Sequence, residues 1–72
     1  MSIRIVYKLV TMKNNFRHYD TILDIIQPYG YLLPNKGDYI NLCEKKYRVD
    51  HKEFNLNEQN GTFDLIEIIL TD

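Results

Sequence analysis

Apolar and polar residues alternate along most of this chain. Ile3, Ile5, Tyr7 and Leu9 fall on one side of an extended segment, with Arg4, Val6, Lys8 and Val10 on the other. A period of two predicts a strand. The polar stretch from Thr11 to Phe16 holds Lys13-Asn14-Asn15 and predicts a turn, because Asn tolerates the left-handed backbone that tight turns require. Arg17 to Gln27 reads two ways. Asp20 can cap a short helix with Ile22, Leu23, Ile25 and Ile26 on one face. The same stretch holds three isoleucines and a threonine, which favour strands, and we read it as a strand. Pro28 and Gly30 end it, and Tyr29 to Leu33 reads as a Gly-interrupted apolar loop or a short strand with a bend.

The second half of the chain repeats strand and turn. Pro34 to Asp38 predicts a turn in which Gly37 takes a positive φ. Ile40 and Leu42 then share one face of a short strand, with Tyr39, Asn41 and Cys43 on the other. Glu44-Lys45-Lys46 predicts a charged hairpin. From Lys46 to Leu56 a single parity fails: Tyr47 and Val49 share a face, but Phe54 and Leu56 have the opposite parity. A bulge or bend near Asp50-His51-Lys52-Glu53 reconciles them. A polar turn from Asn57 to Gly61 leads to Phe63–Leu70, which is apolar on both faces near its end. Such a strand belongs in the centre of a sheet or beneath a second subunit. The expected fold is a mostly β, five-stranded SH3-like barrel or a strongly bent antiparallel sheet, with at most one short helix near residues 19–27.

The chain has 72 residues, which defines one domain over 1–72. A core this small gives only about 3–5 kcal/mol of net stability without a further staple. The single cysteine, Cys43, excludes an internal disulfide. His18 and His51 lie far apart in sequence, and neither a metal nor another cofactor is expected. Self-association remains as the staple, so a homo-oligomer is expected. Nine Lys and Arg stand against ten Asp and Glu, for a net charge of −1. That balance lacks the basic excess of a dedicated nucleic-acid binder. No apolar run approaches the ~20 residues of a helical membrane span. One thiol and a strand starting at Met1-Ser2-Ile3-Arg4, without a signal peptide, fit a cytoplasmic protein.

Pro34-Asn35-Lys36-Gly37-Asp38-Tyr39-Ile40, followed by Tyr47-Arg48-Val49, resembles small SH3-like β-barrel proteins of phages and mobile elements of low-GC bacteria. The likeness covers Pro34 to about Leu70 and departs at Tyr29-Gly30-Tyr31. It implies a fold and a phage or mobile-element origin, with the host cytoplasm as the place of action. It implies no ligand.

Candidate chemistry is sparse. Cys43 reads as a packed or half-exposed thiol rather than a nucleophile. His51, among Asp50, Lys52 and Glu53, reads as part of a solvated bend. Asp38 reads as a turn residue, and Glu67 as one strand-borne acid without a partner for acid–base work. No phosphate-binding glycine loop and no nucleophile elbow occurs, so an enzyme is not expected.

The six tyrosines carry more information, because tyrosine offers a large contact area at low entropic loss. Tyr29, Tyr31 and Tyr39 are the expected binding anchors. Lys45, Lys46, Arg48 and Lys52 form a basic group, interleaved with Glu44, Asp50 and Glu53. Two functions follow. One is a protein-binding accessory factor that occludes a host protein, such as a defence-system component. The other is an oligomeric binder that sequesters a nucleotide-like signal, with Tyr stacked on the base and Lys45, Lys46, Arg48 or His51 neutralising phosphate. A virion connector is a third reading and predicts a ring or filament.

Overall fold

A computed structural model describes residues 2–28 and 32–72. Its five strands are β1 (Ser2–Lys13), β2 (Phe16–Pro28), β3 (Tyr39–Leu42), β4 (Lys45–Asn57) and β5 (Thr62–Thr71). They form one sheet in the order β2-β1-β5-β4-β3, curled into a half-barrel. Residues 17–27 are strand, as their β-branched content predicts, and no helix forms among the described residues. The sheet is mixed. β1 pairs with β5 in parallel, Ile5 opposite Ile66 and Leu9 opposite Leu70, while the other pairs are antiparallel. A parallel pair needs a long connection, here supplied by everything between β1 and β5.

The core follows the alternation. Ile3, Ile5 and Tyr7 of β1 meet Ile66, Ile68 and Leu70 of β5 and Tyr47 and Val49 of β4. Ile5, Val49, Ile68 and Leu70 are fully buried. β5 lies between β1 and β4, the central position its two-faced apolar sequence requires. Its Ile69 is buried on the face opposite the core, together with Val6 of β1.

Turn chemistry sets the hairpins. Asn14 and Asn15 take φ of 53° and 66°, so the β1–β2 turn contracts to two residues and both strands run longer than the polar stretch suggests. The β3–β4 turn is Cys43-Glu44, also left-handed at 52° and 64°. Cys43 therefore lies in the turn rather than on the strand, and it is exposed. Lys45 and Lys46, expected in the turn, open β4 instead. A two-residue turn of this hand matches the twist of the flanking strands.

Gly37, with φ of 90°, donates its N–H to Val49 O, and the Val49 N–H returns to Asp38 O. The Asp38 carboxylate accepts from the Asn35 N–H at 2.8 Å and closes the turn, its expected role. The register of β4 against β5 slips between Val49 and His51. Asp50 is the extra residue, and the bulge brings Phe54 onto the core face opposite Ile66. A second bulge, at Ile22 of β2, lies opposite the Tyr7–Lys8 step. Bulges of this kind bend the strands that carry them.

Candidate functional site

The face of the sheet opposite the core gathers most of the polar chemistry. Tyr39 of β3 lies directly opposite Arg48 of β4, and Asn41 opposite Lys46. Directly paired residues share a face, and Tyr47 and Val49 between them point to the core. The Lys46 ammonium sits 4.6 Å from the centre of the Tyr39 ring, a cation–π distance. The bulge at Asp50 keeps His51 on this same face, opposite Ile69. The structure thus unites Tyr39, Lys46, Arg48 and His51. Lys45 has the other parity. It pairs with Asp72 at 2.9 Å and lies 5.3 Å from the Tyr47 ring, and the hydrogen bond to Asp72 raises its pKa. Tyr29 and Tyr31 fall outside the described residues.

His51 is held by carboxylates. Its Nδ1 is 2.6 Å from Asp50 Oδ2, and its Nε2 is 3.5 Å from Glu53 Oε1. The Asp50 carboxyl lies below its ordinary range, chiefly because of the hydrogen bond with His51. The positive charges of Lys36 and Arg17 add to this. A histidine engaged on both ring nitrogens by acids is a poor receptor for an anion.

Beyond His51 the same face deepens into a groove. One depression of about 240 Å³ is lined by Lys8, Tyr19, Glu53, Glu67 and Ile69. An adjoining one of about 230 Å³ is lined by Val10, Met12, Arg17, Asp50, Ile69 and Thr71. Ile69 floors both. The walls come from β2 and β4, which β1 and β5 separate in the sheet. Lys8 Nζ and Glu67 Oε2 pair at 3.3 Å, both half-buried. Glu67 therefore has a cation beside it and, directly opposite on β4, a second acid, Glu53. Asp50, Glu53 and Glu67 face Lys8 and Arg17 across the groove, a lining that matches charge of either sign only locally.

Sequence reasoning missed Lys8, Arg17 and Tyr19. Their outward parity was legible. Their convergence was not, because it depends on the parallel β1–β5 pair and on the two bulges. Among the described residues no cluster of three His, Cys, Asp or Glu side chains is placed to hold a metal ion. No family model, no curated protein and no solved structure matches this chain. The fold and surface define a small all-β half-barrel with a charged, tyrosine-bearing outer face.

Proposed function

We propose that this chain is a non-enzymatic protein-binding module that acts by occluding its partner. The open edge of the sheet carries this reading. β2 runs for thirteen residues with no strand on its outer side among the described residues, and Tyr19 and Ile26 are exposed along it. An extended edge of this kind can add a partner strand by main-chain hydrogen bonding, with neighbouring side chains setting specificity. The other edge, β3, has four residues, and short edge strands resist such pairing. Tyr39, beside Lys46 and Arg48, offers a second contact area, to which Tyr29 and Tyr31 are proposed to add.

The resemblance of the Pro34–Asp38 turn and the Tyr47-Arg48-Val49 strand to small phage and mobile-element barrels suggests the setting. We take the partner to be a host protein in the cytoplasm, with defence components as the first class to test. Tagged protein expressed in a bacterial host should retain a partner that Ile26→Lys and Tyr19→Lys release, while both variants keep the wild-type circular dichroism spectrum. Retention unchanged by both substitutions would place the contact elsewhere and remove the support drawn from β2.

The Tyr39–Lys46–Arg48 group favours one second reading, an oligomer that takes up a nucleotide-like ligand. Under it, Arg48→Ala weakens nucleotide uptake in equilibrium dialysis and leaves protein capture unchanged. Equal uptake by wild type and variant would exclude a role for Arg48 in it.

A further inference from the structure

The near-neutral net charge conceals a polar molecule. By register, one end of the sheet carries the β1–β2 and β3–β4 turns. Lys13, Arg17, Lys45, Lys46 and Arg48 gather there against Glu44, Asp72 and Asp50, the last lining one depression with Met12 and Arg17. The opposite end carries the β4–β5 turn, and there Asp24, Glu53, Glu58, Asp64 and Glu67 stand against Arg4 and against Lys8, which pairs with Glu67. The parallel β1–β5 pair produces this sorting, because it points the lysine-bearing end of β1 the same way as the end of β5.

Each end also shows apolar surface. At the basic end Met12 and Phe16 are 63% and 71% exposed. At the acidic end Phe54, Leu56 and Phe63 are 48%, 55% and 44% exposed, and the two phenyl rings meet at 5.4 Å with a tilt of 59°. Two apolar patches of opposite charge on one chain are complementary to each other. They lie at opposite ends of a body 39 Å long, so they can meet only between copies.

We propose that the basic end, centred on Met12, Lys13, Phe16 and Arg17, docks on the acidic end of a second copy, centred on Phe54, Leu56, Phe63, Glu58 and Asp64. The contact is heterologous. It repeats from copy to copy and gives a ring if the rotation closes, or a filament if it does not. It covers apolar surface that a core of this size leaves in water. It also leaves the outer edge of β2 in the region of Tyr19 to Ile26 free, so it stands apart from the partner contact proposed above.

Sedimentation velocity and native mass spectrometry of the purified chain test this. Wild type should assemble beyond a dimer at low ionic strength and shrink toward monomer as salt rises. The double variants Lys13→Glu/Arg17→Glu and Glu58→Lys/Asp64→Lys change only exposed side chains. Each alone should weaken self-association by about tenfold or more, because like charges then meet. An equimolar mixture of the two should assemble again, since each supplies the end the other has lost. A monomeric wild type at millimolar concentration would overturn the proposal. So would assembly indifferent to both double variants, or a species that stops at two copies and is dissolved by Ile26→Lys, which would mark a two-fold contact through β2. Host-partner capture by the double variants reads the β2 proposal separately.

Discussion

Two stretches of this chain are spelled almost alike and fold to opposite fates. Thr21-Ile22-Leu23-Asp24-Ile25-Ile26 lies in β2 and Leu65-Ile66-Glu67-Ile68-Ile69-Leu70 in β5. Each places one acid among aliphatic residues. In β5, Ile66, Ile68, Ile69 and Leu70 are all buried, because β1 and β4 flank the strand and side chains cover both faces. In β2, Ile22, Leu23 and Ile25 are only partly covered, and Ile26 is 71% exposed at the open edge. The acids differ in the same way. Glu67 is half-buried against Lys8, whereas Asp24 meets Arg4 in a two-pronged pair in water, with Arg4 Nε 2.9 Å from Asp24 Oδ1. Composition made both segments strands. Neighbours decided which of them became core.

The contrast can be broken or sharpened by measurement, and the largest effect is at the centre. Ile68→Ala removes a fully buried side chain and should destabilise the fold by about 2–5 kcal/mol. That is most of the stability available to a domain of this size, so the variant should be largely unfolded in water. Ile26→Ala should change stability by no more than about 0.5 kcal/mol. Urea titration followed by circular dichroism reads both, and equal losses would mean that β2 is as covered as β5.

Amide hydrogen exchange gives a finer contrast. Amides of Ile66, Ile68 and Leu70 should exchange only through global unfolding, while the outward-facing half of the β2 amides exchanges by local opening, orders of magnitude faster. Uniform protection along β2 at high protein concentration, lost on dilution, would show a second copy pairing with that edge. It would thereby contradict the end-to-end assembly.

The acids supply the smaller effects. Lys8→Met leaves Glu67 half-buried without its cation and should cost about 1 kcal/mol. Adding Glu67→Leu should recover most of that, since a matched apolar pair replaces the ion pair. If the double variant stays as weak as the single one, the groove floor depends on more than this pair.

Asp24 should give the smallest change. The hydrogen bond from Arg4 holds its carboxyl below the ordinary range, so the folded state takes up that proton less readily than the unfolded chain. The resulting stability is present above the unfolded carboxyl's pKa of about 3.9 and is lost as pH falls through the lower folded value. Asp24→Asn should therefore shift the urea midpoint slightly at neutral pH and not at all in strong acid. A shift that grows on acidification would reverse the assigned sign.

Much of the architecture was legible in particular residues. Asn14-Asn15, Gly37-Asp38 and the polar run ending in Gly61 marked turns by their backbone preferences. The parity conflict between Val49 and Phe54 announced the bulge at Asp50, and the two-faced apolar run of β5 announced its central place. The candidate site was legible only in part. Tyr39, Lys46, Arg48 and His51 could be suspected because local parity places them near one hairpin. Lys8, Tyr19 and Glu67 could not, because their meeting depends on strands distant in sequence. Lys45 opens β4 rather than lying in the turn, because the turn closes at Cys43-Glu44, and left-handed φ at a Cys-Glu pair has no strong local signal.

The sequence by itself determined that this chain is extended, where it turns and which side of each strand is apolar, because these follow from steric preference and a period of two. Tertiary structure decided the pairing of β1 with β5 in parallel, the exposure of β2, and the sorting of charge to opposite ends. Those outcomes depend on which strands become neighbours, a choice made by the summed burial of all five strands at once rather than by any single segment.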